Sequence, residues 1–333
     1  MSGGLSQPMS LPQPIGLAIL LLAGLAALWA LAVVMTIQRL TRPPRRTYAS
    51  ALARGKPGDP SELPDPREFR SWNFENRGWT LPVWEIDGDR IQDPAAPIVL
   101  MVHGWGDSRL GALARVGAVL PEAAKVIAFD LPGHGESSRG GVARGPTSLG
   151  IEDPGVISDL VQHLSRSEPS PRPVILFGWS LGAGASIAAA ALLQERGVPV
   201  AAVIAESPYI QAETPARRVL MYYAMPHRFT LGPALAVVGW RLGVGVGTGG
   251  RAWHGFDRVQ HAAKLVCPLL VIHGERDIIC PIADGRAIAS AARLGQIVEL
   301  PEAGHNDIWT SPEKAQNAVR SFVGSLAPHL PRA

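Results

Sequence analysis

Six short, largely apolar runs separated by helix-length stretches constrain this chain more than any other feature. The runs cover residues 98–102, 125–129, 174–177, 201–204, 269–272 and 297–300, and helical patterns follow most of them at 110–120, 156–165, 180–194, 282–293 and 312–326. A strand with no polar side has no face for water. Such strands need cover on both sides of their sheet, and helices placed between successive strands provide it while making the strands parallel. The expected fold class is therefore α/β, with a mostly parallel, doubly wound sheet. Residues 71–76 and 79–86, joined through Arg77-Gly78, predict a leading β-hairpin. One interval breaks the rhythm, from 211 to 265, and it holds a Gly-rich stretch at 243–250. An insertion of that length between two strands reads as a helical cap or lid.

Ahead of this pattern, residues 15–37 read IGLAILLLAGLAALWALAVVMTI, a run of 23 residues without a charge. As a helix it is long enough to cross a hydrocarbon layer of roughly 30 Å, and it lacks the polar stripe of a core helix. A cleavable signal peptide is the alternative, with Ala30-Leu31-Ala32 as its A-x-A site. The length of the run and the lack of a preceding Lys or Arg favour an uncleaved anchor. The nearby positive charge, Arg39, Arg42, Arg45 and Arg46, all follows the span. Positive charge stays on the cytoplasmic side. This predicts a short extracytoplasmic tail (1–14), a transmembrane helix (15–37), a basic, Pro-rich linker (38–70) and a cytoplasmic catalytic domain (71–333). The same four arginines outnumber the whole net charge of +3, so the remainder offers no electrostatic footprint for nucleic acid.

The chemistry concentrates at the ends of the runs. Gly178-Trp179-Ser180-Leu181-Gly182 follows one strand directly and opens an Ala-rich helix. A strand, a tight turn with glycine on both sides and a helix form the geometry that lifts a serine hydroxyl above a sheet. A nucleophilic serine needs a base, and the base needs an acid to orient it. Glu275 and Asp277 follow the 269–272 run, and His305 lies in the loop after the last run. Backbone N–H groups for an oxyanion hole are expected from Leu181, next to the serine, and from Trp105 in the loop His103-Gly104-Trp105-Gly106. His134, in Asp130-Leu-Pro-Gly-His134-Gly-Glu-Ser-Ser138, reads as a turn residue rather than a base. The two cysteines, Cys267 and Cys280, are separated by an extended run and belong to no CxxC or Cys/His cluster. Neither a disulfide nor a metal site is expected of them, and no cofactor is expected.

In order and spacing, His103-Gly-Trp-Gly106, Asp130-Leu-Pro-Gly-His-Gly-Glu-Ser137, Gly178-Trp-Ser-Leu-Gly182, Gly274-Glu-Arg-Asp277 and Gly304-His305-Asn306-Asp307 resemble the α/β-hydrolase superfamily. The chain is most similar to its monoacylglycerol-lipase and serine-aminopeptidase-like branch and to membrane-anchored ABHD-type hydrolases. The resemblance implies Ser180 as nucleophile, His305 as general base, Asp277 rather than Glu275 as the acid, and Trp105 and Leu181 as oxyanion donors. Residues 211–265 match no motif of the superfamily, where the cap largely sets the substrate.

The expected function is a membrane-anchored serine hydrolase acting on esters or thioesters of small or lipid-like acyl groups. The cap residues Leu231, Leu235, Val237, Val238 and Trp240 suit acyl chains or serve as the cap's own core. An aminopeptidase-like enzyme is the first alternative. It needs an acid near the cap to hold a substrate amine, and 211–265 offers Glu213 and Asp257. A non-catalytic, membrane-tethered binding protein is the second. The intact Ser180, Asp277 and His305 weigh against it.

Overall fold

A computed structural model describes residues 13–142, 145–168, 172–245 and 253–326. In chain order its elements begin with the long helix α1 (Gln13–Thr41), the short α2 (Tyr48–Leu52), and strands β1 (Phe69–Asn76), β2 (Trp79–Asp87), β3 (Ile98–Val102), β4 (Lys125–Phe129) and β5 (Ser138–Arg139). There follow α3 (Asp153–Ser167), β6 (Val174–Trp179), α4 (Leu181–Glu195) and β7 (Ala202–Glu206). The cap helices are α5 (Glu213–Tyr222), α6 (His227–Arg241) and α7 (Arg258–Ala263). The chain closes with β8 (Leu269–Gly274), α8 (Ile282–Ala291), β9 (Gly295–Leu300) and α9 (Glu313–Leu326).

The strands form one sheet in the order β1-β2-β4-β3-β6-β7-β8-β9, with β5 paired to β2. The hairpin joins antiparallel, in a register that sets Asn76 opposite Trp79, and every pairing from β4 to β9 is parallel. Period two divides each central strand between two cores. Ile98, Leu100 and Val102 of β3 join Leu176 of β6 and the small residues of α4, while Val99 and Met101 join Phe177 and the α9 side chains Val319 and Phe322. This is the α/β-hydrolase fold: a mostly parallel sheet covered on both faces, a helical insertion, and one N-terminal apolar helix long enough to be a candidate membrane span.

Three expectations change. The helix predicted over 110–120 is a chain of 3₁₀ turns, Arg109–Ala114, Val116–Ala118 and Leu120–Glu122. Gly111, Gly117 and Pro121 each disfavour a continuous α-helix. A Cβ at Gly111 would also lie 2.7 Å from the Trp179 ring, so that turn is held by close packing. The apolar helix runs past residue 37 to Thr41. Finally, residues 41–47 of the expected linker lie against the domain that follows rather than free of it. The Thr41 carbonyl accepts the Thr147 N–H at 2.8 Å. Arg45 Nη1 donates to the carbonyls of Gly135 (3.1 Å) and Ser137 (2.8 Å). Arg46 pairs with Asp107 at 3.1 Å, and Thr47 caps α2. Side-chain bonds to distant main chain leave no periodicity in a sequence, which is why this Pro- and Arg-rich stretch reads as loose. Of the Gly-rich stretch, 246–250 lies outside the described residues.

Candidate active site

Ser180 sits between β6 and α4 at φ 54°, ψ −116°, a conformation strained for any residue with a Cβ. Its neighbours explain how the strain is held. A Cβ on Gly178 would lie 2.2 Å from the Gly182 carbonyl oxygen, and one on Gly182 would lie 2.0 Å from that of Val102. Only glycine permits strand, turn and helix to close this tightly. The Ser180 N–H donates to the Glu206 carbonyl at 2.8 Å, pinning the turn to β7. Gly104 completes the approach, since a Cβ there would lie 3.2 Å from the Ser180 Cβ.

His305 reaches this point from the loop after β9. Its Nε2 is 3.0 Å from Ser180 Oγ and its Nδ1 is 2.7 Å from Asp277 Oδ2. Both contacts require one tautomer, in which Nδ1–H donates to the carboxylate and Nε2 accepts from the hydroxyl. Asp277 Oδ1 accepts the N–H groups of Ile279 and Cys280, each at 2.8 Å, which fixes the carboxylate plane. Burial opposes ionisation of Asp277. Hydrogen bonds from His273 and His305, together with the Cys280 N–H, outweigh it and hold the carboxyl well below the ordinary range. Glu275 is exposed and makes no bond to His305 among the described residues. The loop of His305 is itself tied by the Gly304 N–H, which donates to Asp307 Oδ1 at 2.5 Å.

The main-chain N–H groups of Trp105 and Leu181 have no protein acceptor among the described residues. Leu181 opens α4, where an N–H has no partner within the helix. The Trp105 indole is turned to the N-terminal helix and donates to the Leu40 carbonyl at 2.8 Å. His134 lies apart from the cluster. Its Nδ1 faces the Pro132 carbonyl at 3.0 Å, its ring packs edge-on to His103, and burial followed by the His103 charge drives its pKa well down. Asp277, Cys280 and His305 offer ligand atoms within 4.8 Å of one another, the geometry of a possible metal cluster. The Asp277 oxygens are already committed to two N–H groups and two imidazoles, and burial keeps the Cys280 thiol well above its usual pKa. Protonated thiols are poor ligands, so the chemistry of the donor set suits a proton relay better than an ion.

Ser180 and His305 line a cavity of about 990 Å³. Its lining includes the apolar or aromatic Leu149, Ala216, Val219, Tyr222 and Tyr223, together with Arg45, Arg46, Arg54 and Lys56 from the segment after α1. Sequence reasoning missed two further groups of the wall. Glu206, buried at the carboxyl end of β7, receives Arg115 through both guanidinium arms at 2.7 and 2.5 Å and the Trp309 indole at 2.7 Å. Asp107 accepts from Arg46 and from the Trp179 indole at 2.9 Å. An acid ending an apolar strand was the available signal for Glu206. Its partner lies 91 residues away, and nothing in the sequence pairs them.

A model of the alpha/beta hydrolase family matches residues 99–318. Lysophosphatidylserine lipase ABHD12 of Danio rerio is 25% identical over 248 residues, which is 70% of this chain and 59% of its own length. The chain thus spans about three-fifths of that relative. The pimeloyl-[acyl-carrier protein] methyl ester esterase of Chromobacterium violaceum is 28% identical over 262 residues, 70% of this chain and 94% of its own. Among solved structures, an esterase of Pyrococcus furiosus superposes with a TM-score of 0.63 at 19% identity, covering 86% of this chain and 98% of that one. A bacterial membrane phospholipase A superposes with a TM-score of 0.54 at 16% identity over 94% of this chain and 97% of its own. With its sheet, its insertion and a family match to about two thirds of the sequence, the chain belongs to the alpha/beta hydrolase family, and its relatives there include ABHD-type lipases and esterases.

Proposed function

We propose that this protein is a membrane-anchored serine hydrolase that cleaves carboxylic ester or thioester bonds of lipid-like acyl substrates. The observation that carries the reading is the unbroken chain from Ser180 Oγ through His305 to Asp277, at 3.0 and 2.7 Å, on the wall of a cavity large enough for an acyl chain. In this mechanism His305 Nε2 takes the Ser180 proton as Oγ attacks the acyl carbonyl. Asp277 holds the imidazole in the required tautomer and stabilises the imidazolium that forms. The Trp105 and Leu181 N–H groups hold the tetrahedral oxyanion. His305 then protonates the leaving alcohol or thiol, and water, activated by the same imidazole, releases the acid from Ser180.

Relatives that act on a lysophospholipid and on a methyl ester support ester chemistry. A peptidase reading needs an acid free to hold a substrate amine. Glu213 is paired with Arg217, Asp257 caps α7, and neither lines the cavity. The acids that do line it, Asp107 and Glu206, are engaged by arginines. The anchor is residues 15–37 of α1, with 1–14 outside and the catalytic domain in the cytoplasm. Protease protection in oriented vesicles tests that orientation.

Membranes holding the full-length protein, treated with a fluorophosphonate probe, test the chemistry. Wild type labels, Ser180→Ala does not, and His305→Ala labels far more slowly. Ester turnover should fall by a factor on the order of 10³ to 10⁶ in either variant. Labelling that persists in Ser180→Ala overturns the assignment.

A further inference from the structure

The apolar helix α1 is too short, where it stands free of the domain, to cross a bilayer alone. Its side chains are exposed from Pro14 onward, Leu17 at 72% and Leu28 at 65%. A buried stripe, Val33, Thr36, Ile37 and Leu40, then docks its last turns on the cap. The free part from Pro14 to Leu28 is about 22 Å of helix at about 1.5 Å per residue. A hydrocarbon layer is about 30 Å thick. The missing 8 Å or so must come from Trp29 to about Val34, and tilting the helix would only increase the need.

That portion of α1 is not bare. The Trp29 indole donates to the Phe229 carbonyl at 3.1 Å, and Thr36 Oγ1 meets Thr230 Oγ1 at 2.9 Å. Phe229, in the first turn of α6, is 73% exposed. Ten residues further along α1, about 15 Å by the same rise, the Arg39 guanidinium lies 3.2 Å from the centre of the Tyr223 ring. The cap therefore runs along α1 from the level of Arg39 to that of Trp29, and Tyr222 and Tyr223 at the lower level line the catalytic cavity.

We infer that the N-terminal end of α6, with Phe229 at its tip, is immersed in the leaflet from which α1 emerges, so that the cavity mouth at Tyr222 and Tyr223 lies in the headgroup layer. This rests on the reading of α1 as a bilayer span. The charges agree. Arg228 beside Phe229 limits the depth, since its guanidinium must reach back to the phosphates along its own stem. Arg217 and Arg218 on α5, with Arg39 and Arg42 at the end of α1, are exposed or half-exposed cations and suit an anionic leaflet. Tyrosines at the Arg39 level match the preference of amphipathic rings for the interface. An acyl substrate would then enter from the leaflet without crossing water.

Single-cysteine variants of the full-length protein, labelled with NBD and reconstituted in phosphatidylcholine–phosphatidylglycerol vesicles, test this. Native Cys267 and Cys280 are buried, and wild type serves as the labelling blank. Leu21→Cys reports the span, Phe229→Cys the cap tip, and Arg293→Cys, in the exposed turn before β9, the opposite end of the strands. Quenching by chain-labelled doxyl lipids is expected at 21 and 229 and not at 293. Quenching at 21 without 229 leaves the span standing and overturns the immersed cap. Quenching at neither removes the span reading and the inference with it. In kinetics, Phe229→Asp should lower turnover of a vesicle-embedded ester about tenfold and leave a short soluble ester unchanged. Equal loss on both would overturn feeding from the leaflet.

Discussion

At the carboxyl edge of the sheet a Cβ added to Gly182 would lie 2.0 Å from the Val102 carbonyl oxygen; where the loop after β3 meets the segment that follows α1, a Cβ added to Gly106 would approach the nearest atom, in Pro44, no closer than 3.7 Å. The first wall is the carboxyl edge of the sheet, where main chain packs on main chain and a methyl group has no room. The second is the segment between α1 and β1, where loop rests on loop through ordinary contacts and a few side-chain bonds. The proposed reacting groups stand on the first wall, and the second supplies Arg45, Arg46, Arg54 and Lys56 to the cavity. Catalytic geometry tolerates displacements well below 1 Å, so it belongs where backbone packing leaves no freedom. A binding wall tolerates more, and a set of arginines reaching to carbonyls and carboxylates is sufficient.

The largest effect that would sharpen this contrast is at Asp277. Asp277→Asn should retain the fold and the hydroxyl–imidazole contact while favouring the wrong tautomer, with a loss of about 10⁴-fold in turnover. A loss under tenfold would show that the carboxylate only packs. Stability offers a second reading. The folded-state pKa of Asp277 lies below its unfolded value, so the ionised group contributes stability fully present above the unfolded value of about 4 and lost as pH falls through the folded one. The Tm difference between wild type and Asp277→Asn should therefore be flat above about pH 5 and shrink below about pH 4.

The second wall should respond less and differently. Burial lowers the pKa of Arg45, the Asp130 charge raises it, and its Nη1 holds two carbonyls of the loop after β4. Arg45→Ala removes that tie at a local cost of about 1–3 kcal/mol. KM for a long-chain ester should rise about tenfold, kcat for a short ester should hold, and hydrogen exchange should quicken across 43–57. A fall in kcat for the short ester would show that the two walls are mechanically coupled. Arg54 and Lys56, without ion-pair partners among the described residues, are the cations best placed to meet an anionic headgroup.

The same contrast explains what could be read from the sequence. Strands β3 and β4 begin and end where their runs do, because burial on both faces leaves no polar residue in them beyond Lys125, the half-buried first residue of β4. The turn at Ser180 was legible because only glycine fits on either side of it. The structure brings Ser180, Asp277 and His305 together because each lies just beyond a strand of one parallel sheet, and order along the chain then becomes proximity in space. The pairing of Arg115 with Glu206, the tie from Arg45 to Gly135 and Ser137, and the docking of α1 on α6 join residues 90 or more apart. Each is one side chain meeting one partner, with no repeat to reveal it. The 110–120 stretch failed for a local reason: its apolar spacing is helical, but Gly111 serves the approach of Trp179.

The smallest effect concerns how α1 is held to the cap, and it separates two ways of docking a helix. Thr36 and Thr230 are both buried, with their hydroxyls 2.9 Å apart. Each hydroxyl also has a carbonyl of its own helix within reach, Ala32 for Thr36 at 2.9 Å and Pro226 for Thr230 at 3.1 Å. Removing one hydroxyl therefore leaves the other satisfied, which avoids the penalty of an unpaired buried group. Valine matches threonine in shape, so the apolar stripe Val33, Ile37 and Leu40 should keep the helices together. Thr36→Val and Thr230→Val are each expected to cost less than about 1 kcal/mol, and a double-mutant cycle should give a coupling near 0.5 kcal/mol, measured by thermal unfolding of the full-length protein in micelles. A coupling above about 1.5 kcal/mol would mean that the hydroxyl pair sets the register of α1 on α6. The height of the cap relative to the bilayer would then depend on that single bond rather than on the stripe.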